Sequence, residues 1–257
     1  MPPSPVAPPA ADLHVVVLAA GRGSRLGALG AETPKWLLEV GGRPLADRHL
    51  AGVAASGAVA STRVVTGHAA EAIERMLASR PGAPATVHVA EFAERNNWWS
   101  LLCALRCLPA GGAVAVVNAD LCVEPATLTA FLDDTAVGDA DGVLAVDLLR
   151  DLTDESMKVA RKPDGTLDRI GKAGVADAAG EYVGMLMARG EVLAALRATL
   201  ESFVDRPGAA GEWYEGAVAR TAAAGTPWHV WPMPSSAWVE IDDDADLGAA
   251  QSLAAAA

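Results

Sequence analysis

Two cations near the start of the chain have types and spacing that suit a polyphosphate. Arg25 and Lys35 lie ten positions apart, and Arg25 follows a turn that contains Gly21 and Gly23. An arginine offers a planar fork of donors and a lysine a point charge, so the two side chains can converge on one triphosphate. The glycines let backbone N–H groups turn around a phosphate without Cβ collisions. The alternative is a glycine-rich turn with solvated charges.

Two aspartates much further along the chain could supply a metal site for the same triphosphate. Asp120 follows a strand predicted at Ala113–Val117, and Asp242 ends a strand predicted at Trp238–Asp242. Two carboxylates at one edge of a sheet could hold a Mg²⁺ ion that also takes oxygens from the triphosphate. A lone aspartate at a strand end more often caps a helix or shapes a turn. Glu240 shares the strand face of Asp242 and is the weaker candidate.

Composition and charge argue against nucleic-acid and membrane partners. The 257 residues include 32 acidic and 20 basic ones, a net charge of −12, whereas a nucleic-acid surface needs a basic field. No apolar run of the sequence approaches the ~20 residues of a membrane span. Three cysteines without a paired framework suit a reducing compartment, and the amino terminus lacks the pattern of a secretory signal. We therefore expect a cytoplasmic protein.

The elements that must position the charged residues alternate between strands and helices up to about residue 150. Apolar runs predict strands at Leu13–Ala20, Arg63–Gly67, Ala85–Ala90, Ala113–Val117 and Gly142–Leu149. Helical patterns between them predict helices at Pro44–Ser56, His68–Ser79, Asn97–Leu108 and Pro125–Asp133. This alternation, with short connections, predicts an α/β fold with a doubly wound, mostly parallel, Rossmann-like sheet.

The pattern changes in the second half of the chain. A hairpin is predicted at Met157–Ile170, where Pro163, Asp164 and Gly165 form the turn, and a further strand at Glu181–Ala188. The remaining predicted elements are helices at Glu191–Ser202, Glu212–Ala223 and Ala245–Ala255 and strands at Trp228–Met233 and Trp238–Asp242. We expect this half to form a small, β-rich inserted lobe at the carboxyl edge of the sheet, where open α/β sheets bind ligands.

The first turn resembles the signature of a known enzyme superfamily. Residues 18–26 read Leu-Ala-Ala-Gly-x-Gly-x-Arg-Leu, and Pro-Lys-x-Leu occupies residues 34–37. This pattern resembles the nucleotidyltransferases that activate sugar phosphates, phosphocholine and phosphonates. It is neither a Walker loop nor a complete dinucleotide motif, because Leu26 stands at the third glycine position. The resemblance implies the nucleotide-diphospho-sugar transferase fold.

The same resemblance assigns roles to individual residues. It implies that Arg25 and Lys35 neutralise the α-phosphate and the leaving pyrophosphate. A Glu-Ile-Asp followed by Asp-Leu, also typical of the superfamily, matches residues 240–242 and 246–247 and supports Asp242 as the second Mg²⁺ ligand beside Asp120. The residues implied to hold the base, ribose and phosphates are Leu18, Ala19, Ala20, Gly21, Arg22, Gly23 and Ser24.

Three later segments resemble cytidylyltransferases that act on phosphocholine or aminoethylphosphonate. They are residues 96–101, residues 157–159 and residues 181–184. The resemblance implies that Asn97 and Ser100 bind the nucleotide. It also implies that Lys158 binds the phosphoryl oxygens of the acceptor, while Glu181, Tyr182 and a tryptophan surround an amine or quaternary ammonium group. Residues 90–95 match no part of the pattern, so CTP is favoured but the choice of triphosphate stays open.

Plainer interpretations exist for several of these residues. Trp98 and Trp99 open a predicted helix and could be core residues, because aromatic side chains usually serve packing. Tyr182 could likewise be a core residue with a hydrogen-bonded hydroxyl. Lys158 could be a solvated lysine on the hairpin, since lysine is normally exposed.

The expected organisation is a disordered leader at residues 1–12 and a nucleotidyltransferase domain at 13–257. Within the domain we expect a nucleotide-binding half at 13–150, an acceptor-binding part at 151–240 and a C-terminal helix at 241–257. The predicted reaction joins a nucleoside triphosphate, with CTP favoured, to a small phosphorylated or phosphonylated acceptor and releases pyrophosphate. One alternative acceptor is a sugar or cyclitol 1-phosphate, and another alternative is a non-catalytic nucleotide-sensing subunit. The sequence leaves the oligomeric state open, with a homodimer as one arrangement.

Overall fold

The computed structural model describes residues 12–109 and 111–256. The predicted disordered leader therefore lies outside the described residues, apart from Asp12. Among the described residues, no helix is both long enough and apolar enough to cross a membrane. The cytoplasmic location and the homodimer stay predictions.

A nine-stranded sheet runs through the centre of the fold. Its strands are β1 (Leu13–Ala19), β4 (Val59–Thr66), β5 (Ala85–His88), β6 (Ala113–Asn118), β8 (Gly142–Asp147), β9 (Lys158–Arg161), β10 (Leu167–Gly171), β11 (Gly180–Ala188) and β12 (His229–Pro232). Strand β1 lies between β4 and β6 and is parallel to both, and β5 continues the parallel part at the edge. Runs such as residues 15–17 and 113–117 are apolar on both faces because helices cover both sides.

Eight helices surround or extend the sheet within the described residues. They are α1 (Gly27–Glu32), α2 (Leu45–Ala55), α3 (Ala70–Ala78), α4 (Asn97–Arg106), α5 (Pro125–Val137), α6 (Gly190–Ser202), α7 (Tyr214–Ala223) and α8 (Asp244–Ala256). Alternate residues of β1 divide between two cores: Val15 and Val17 pack with residues of α2 and α5, and Val16 packs with residues of α4, α6 and α7. Helices on both faces confirm the predicted doubly wound sheet.

The second half of the chain extends the same sheet with mixed strand directions. The predicted hairpin at residues 157–170 forms β9 and β10, which pair antiparallel. The long strand β11 pairs antiparallel with β8 along one side and, on the other side, with β9 near its start and with β6 near its end. Strand β12 then pairs parallel with β8 at the far edge. The predicted β-rich insertion is therefore continuous with the central sheet.

Two short antiparallel pairs were not predicted from the sequence. Strands β2 (Glu39–Val40) and β3 (Arg43–Pro44) form one of them, directly after the segment that carries Lys35. Strands β7 (Leu121–Val123) and β13 (Trp238–Glu240) form the other, in which Leu121 pairs with Glu240. Because β7 begins immediately after Asp120 and β13 ends two residues before Asp242, this second pair brings the two aspartates together.

Candidate active site

A cavity of about 370 Å³ opens at the carboxyl ends of β1 and β6. Residues 20–25, which follow β1, form one wall, and Asn118 and Asp120, at the end of β6, form the floor. Residues of α4, β11 and α7 and the segment that ends in Asp242 complete the lining. The cavity thus lies where a doubly wound sheet is expected to bind a ligand.

The glycine turn brings the loop backbone close to Lys35. Gly23 has φ = 61°, in the left-handed region, and a Cβ atom at this position would lie 3.3 Å from Lys35 Cγ. Only glycine adopts this geometry without strain. Of the predicted nucleotide-binding residues, Leu18 and residues 20–24 line the cavity. Ala19 does not, because alternation along β1 turns its side chain into the buried core.

Lys35 lies at the centre of the charged cluster. Its ammonium group donates to Asp120 Oδ2 at 3.1 Å and to Asp242 Oδ1 at 2.6 Å. Burial alone would lower the pKa of Lys35, but the carboxylates of Asp120 and Asp242 outweigh this effect and hold the pKa above its usual value. The neighbouring Trp36, which is fully buried, anchors the short 3₁₀ turn that presents the lysine. Lys35 is therefore cationic and placed between both predicted metal ligands.

Arg25 reaches the same aspartate from the glycine turn. Its Nη2 lies 2.7 Å from Asp242 Oδ2, and its Nη1 lies 3.9 Å from Glu155. The backbone N–H of Asp242 donates to Asp246 Oδ2 at 3.0 Å, so Asp246 holds the carboxylate-bearing turn in place. The four residues predicted to bind the triphosphate and its metal ion, Arg25, Lys35, Asp120 and Asp242, thus meet in one cleft.

Three carboxylates of the cleft could hold a metal ion. Oxygens of Asp120, Glu240 and Asp242 lie within 4.8 Å of one another. Hard oxygen donors of this kind suit Mg²⁺. The third member, Glu240, was the weaker candidate from sequence, and the β7–β13 pair brings it to the cluster. The enclosing cleft and the neighbouring carboxylates of Asp120 and Asp242 raise the pKa of Glu240, although its side chain remains solvent-accessible.

The predicted nucleotide-binding residues of α4 also line the cleft. Asn97 and Ser100 both face the cavity, and Asn97 Oδ1 also accepts from the backbone N–H of Tyr214 at 2.9 Å. Trp98 is a core residue that stacks edge-on against Phe203, as the plainer interpretation predicted. Asn97 therefore links the cleft to the start of α7.

Two of the three predicted acceptor-binding residues do not reach the cleft. Lys158 and Glu181 face each other across β9 and β11, and neither lines the cavity. Lys158 Nζ instead donates to the carbonyl of Lys172 at 3.0 Å. Side chains alternate along a strand, so Glu181 points away from the face on which its neighbour Tyr182 lines the cavity. The acceptor-binding role of Lys158 and Glu181 stays a prediction that their placement does not support.

Residues that the sequence did not indicate line the cavity instead. Lys172 lines it, with its ammonium group 4.9 Å from the ring centroid of Trp213 and 2.8 Å from Glu155. Tyr182 is almost fully buried, and its hydroxyl lies 2.8 Å from that of Tyr214. Tyr182 is thus both a packing residue with a hydrogen-bonded hydroxyl and part of the lining, so the two interpretations of this residue are compatible.

Two further lining residues, between β5 and α4, were also not indicated by the sequence. Phe92 and Arg95 line the cavity although they belong to the stretch that matched no known pattern. The Arg22 guanidinium lies 5.7 Å from the Phe92 ring, and that of Arg95 lies 4.3 Å from the Trp99 ring. One aromatic residue and one arginine in a short connection form no sequence motif that would indicate a binding site. Only the fold shows that this stretch borders the cleft.

Comparison with known proteins agrees with this geometry. The MobA-like NTP transferase domain family matches residues 15–204. A CMP-5'-(3-aminopropyl)phosphonate synthase from Streptomyces rubellomurinus is 32% identical over 93% of this chain, and a 2-C-methyl-D-erythritol 4-phosphate cytidylyltransferase from Corynebacterium jeikeium is 33% identical over 51% of it. The aligned regions cover 38% and 52% of these two relatives, so the chain spans only part of their length.

Solved structures share the fold at lower sequence identity. The CTP:phosphocholine cytidylyltransferase of Streptococcus pneumoniae superimposes with a TM-score of 0.75 over 94% of this chain and 99% of that one, at 17% identity. The inositol-1-phosphate CTP transferase of T. maritima gives a TM-score of 0.77 over 95% and 96% of the two chains, also at 17% identity. These likenesses confirm the predicted nucleotide-diphospho-sugar transferase type of fold.

Proposed function

Because the chain belongs to the MobA-like NTP transferase domain family, we propose that it transfers a cytidylyl group from CTP to a small phosphorylated or phosphonylated acceptor. The observation that carries the proposal is the meeting of a glycine turn, two cations and three carboxylates in one cleft. A triphosphate and its metal ion need this combination, since phosphate oxygens take backbone N–H groups and cations, and the metal takes carboxylates.

The reaction proposed for this cleft is an in-line displacement at the α-phosphorus. An oxygen of the acceptor's phosphate or phosphonate forms the new P–O bond, the bond to the β-phosphate bridging oxygen breaks, and pyrophosphate leaves with that electron pair. The attacking oxygen is already anionic at neutral pH, so the step requires no general base. Arg25 and Lys35 would bind the phosphate oxygens on which charge gathers, and positioning and charge neutralisation would supply most of the rate enhancement.

Asp120 and Asp242, with Glu240 beside them, would hold Mg²⁺ in this proposal. The ion would supply charge stabilisation and a template for the phosphate oxygens. The protein's part is to hold the carboxylates together: Ile241 N donates to the Asp120 carbonyl at 2.9 Å, which ties the two metal-ligand segments directly. The choice of CTP is supported by the cytidylyl chemistry named for the relatives at 32% and 33% identity.

Pyrophosphate release from a panel of triphosphates and acceptors tests the proposal. We expect release from CTP, in the presence of Mg²⁺, with aminoalkylphosphonates or phosphocholine-type acceptors, and at least about 10-fold lower kcat/KM with UTP, ATP or GTP. Glucose 1-phosphate and inositol 1-phosphate serve as the competing acceptors. Release only with these two would establish the sugar or cyclitol alternative instead. Binding of CTP without release from any acceptor would establish the nucleotide-sensing alternative.

A further inference from the structure

Glu215 is a buried carboxylate that lines the cleft and lacks a full set of partners. It lies in the first turn of α7, and its side chain is only 6% exposed. Its Oε2 atom has no hydrogen-bond partner among the residues that the structure describes. It shares the cavity lining with Tyr182 and Trp213. A buried carboxylate oxygen without a partner is costly, and a water molecule, an ion or a ligand group can satisfy it.

The surroundings of Glu215 favour a positive charge. Burial raises the pKa of Glu215 to about 7, and the nearby carboxylate of Asp120 adds to the shift. Glu240 repels the same group, and the other titratable neighbours, Tyr182 and Tyr214, are neutral hydroxyls at physiological pH. If Asp120 and Asp242 hold the metal ion, Glu215 is left without a cation of its own. A ligand cation would offset the cost of burying the carboxylate.

This inference rests on the proposed function: we propose that Glu215 binds a primary ammonium group on the acceptor. The unpartnered Oε2 atom needs an N–H donor, which a primary ammonium group has and a quaternary one lacks. The acceptor's anionic end must reach the α-phosphorus near Arg25 and Lys35, while its cationic end meets Glu215 in the same cavity. The acceptor is therefore a short zwitterion, an amine joined to a phosphate or phosphonate, with Trp213 and Tyr182 beside its carbon chain.

Three phosphonates that differ only at the amine test this assignment. They are 3-aminopropylphosphonate, its N-trimethyl derivative and propylphosphonate. The wild-type protein is expected to favour the primary amine over the other two by about 100-fold in kcat/KM, the size of a lost charge-assisted hydrogen bond. In a Glu215→Gln variant we expect this preference to fall to within about 5-fold, with an unchanged KM for CTP. Glu191→Gln, an exposed glutamate in the first turn of α6, is the matched control.

Each outcome separates this inference from the proposed function. Equal use of the three phosphonates by the wild-type protein overturns the ammonium site but leaves cytidylyl transfer standing. An equal loss of kcat with all three in Glu215→Gln overturns it too, because Glu215 would then serve the metal or the nucleotide. No pyrophosphate release with any acceptor removes the proposed function itself.

Protein stability gives a second measure of the state of Glu215. Its pKa is raised in the folded protein, so the folded state holds the proton more tightly and loses stability as pH rises from about 4.5 to about 7. Glu215→Gln removes this loss. The difference between the unfolding midpoints of the variant and the wild-type protein should therefore favour the variant more at pH 8 than at pH 5. A variant that is destabilised equally at both pH values would show that Glu215 is a paired structural residue, and would overturn the assignment.

A second, independent observation concerns His49, a fully buried residue of α2. Trp36 Nε1 donates to His49 Nδ1 at 3.0 Å, and His49 Nε2 lies 2.6 Å from the carbonyl oxygen of Leu121. An indole N–H is only a donor, so Nδ1 must be the acceptor and Nε2 must carry the proton that it donates to Leu121. Burial lowers the pKa of His49 to about 4, so the ring is neutral at physiological pH.

The two partners of His49 are the sequence neighbours of the site residues. Trp36 follows Lys35, and Leu121 follows Asp120 and pairs with Glu240 in the β7–β13 ladder. Through these two hydrogen bonds, a single side chain connects the lysine-bearing turn to the carboxylate-bearing strand. We infer that His49 is a positioning residue, which fixes the distance between Lys35 and the carboxylates without touching substrate.

Replacement of His49 by Leu and by Gln tests this role. Leu leaves the indole N–H and the Leu121 carbonyl unpaired. We expect kcat to fall about 30-fold to 100-fold, because a small misplacement of reacting groups lowers the rate by about this much. The KM for CTP should stay within about 3-fold of the wild-type value. Gln can accept with one amide atom and donate with the other, so His49→Gln should recover at least a third of the rate.

The control separates positioning from general destabilisation. His14 forms a single side-chain hydrogen bond, to Ser61 at 2.8 Å, at the other end of β1. His14→Gln should therefore leave kcat unchanged even where it lowers the unfolding midpoint. Rates are compared at least about 15 °C below each midpoint. An equally small loss of kcat in both His49 variants would refute the positioning role. So would a loss of kcat that disappears at temperatures below the unfolding transition.

Discussion

Lys35→Ala is expected to lower kcat for cytidylyl transfer by about 10³-fold or more. The ammonium group already lies in the cleft, held by Asp120 at 3.1 Å and Asp242 at 2.6 Å. The side chain of Lys35 therefore needs little reorganisation to bind a phosphate. Single donors in preorganised sites contribute about 10²-fold to 10³-fold, and cations that meet charge developing on a transferred phosphoryl group contribute about 10³-fold to 10⁵-fold. Measurement of single-turnover rates at saturating CTP and Mg²⁺ isolates this effect from binding.

The structure also predicts what Lys35→Ala does to the protein without substrate. Removal of the cation leaves Asp120, Asp242 and Glu240 facing one another, with Arg25 as the remaining partner of Asp242. The variant should therefore be less stable than the wild-type protein in the absence of metal and recover part of the difference when Mg²⁺ is added. Lys162→Ala, on the turn between β9 and β10, is the control lysine. A folded Lys35→Ala protein that turns over within about 10-fold of the wild-type rate would refute the assignment.

The cluster around Lys35 could be predicted in part from sequence, because Arg25 lies in the turn after one buried strand and Asp120 follows another. Leu13–Ala19 and Ala113–Asn118 are apolar runs typical of parallel core strands, and parallel strands place their carboxyl ends at one edge of the sheet. The sequence alone therefore predicts that Arg25 and Asp120 lie near each other. The position of Asp242 needed the resemblance, because three residues of β13 carry too short a pattern to predict their antiparallel partner β7.

The acceptor side could not be predicted in the same way. Lys158 begins the β9–β10 hairpin and Lys172 comes just after it, and whether either side chain enters the cleft depends on which face of the strand it occupies. A shift of one residue in register exchanges those faces, and the sequence of β9 and β10 does not fix the register. Glu215 carried no signal either, since one glutamate in the first turn of a helix is ordinary. Its burial and its unpartnered oxygen become visible only when α7 packs beside the sheet.

Asp242→Asn is expected to have an effect as large as that of Lys35→Ala, through a different route. Asp242 contacts both Arg25 and Lys35 and belongs to the carboxylate cluster. An amide keeps the shape but loses the charge that binds Mg²⁺, so we expect kcat to fall by about 10³-fold or more and the Mg²⁺ concentration for half-maximal rate to rise by about 10-fold or more. Asp244→Asn, two residues away and exposed at the start of α8, is the control.

Thermal unfolding with and without ligands tests the metal role apart from turnover. The oxygens of Asp120 and Asp242 that would face a metal ion are paired with Lys35 in this structure, so Mg²⁺ alone must displace an ammonium group and should bind weakly. A non-hydrolysable CTP analogue offers Lys35 and Arg25 phosphate oxygens instead, which frees the carboxylates. Mg²⁺ and the analogue together should therefore raise the unfolding midpoint of the wild-type protein by more than the sum of their separate effects. In Asp242→Asn this excess should vanish; an undiminished excess would place the metal ion elsewhere.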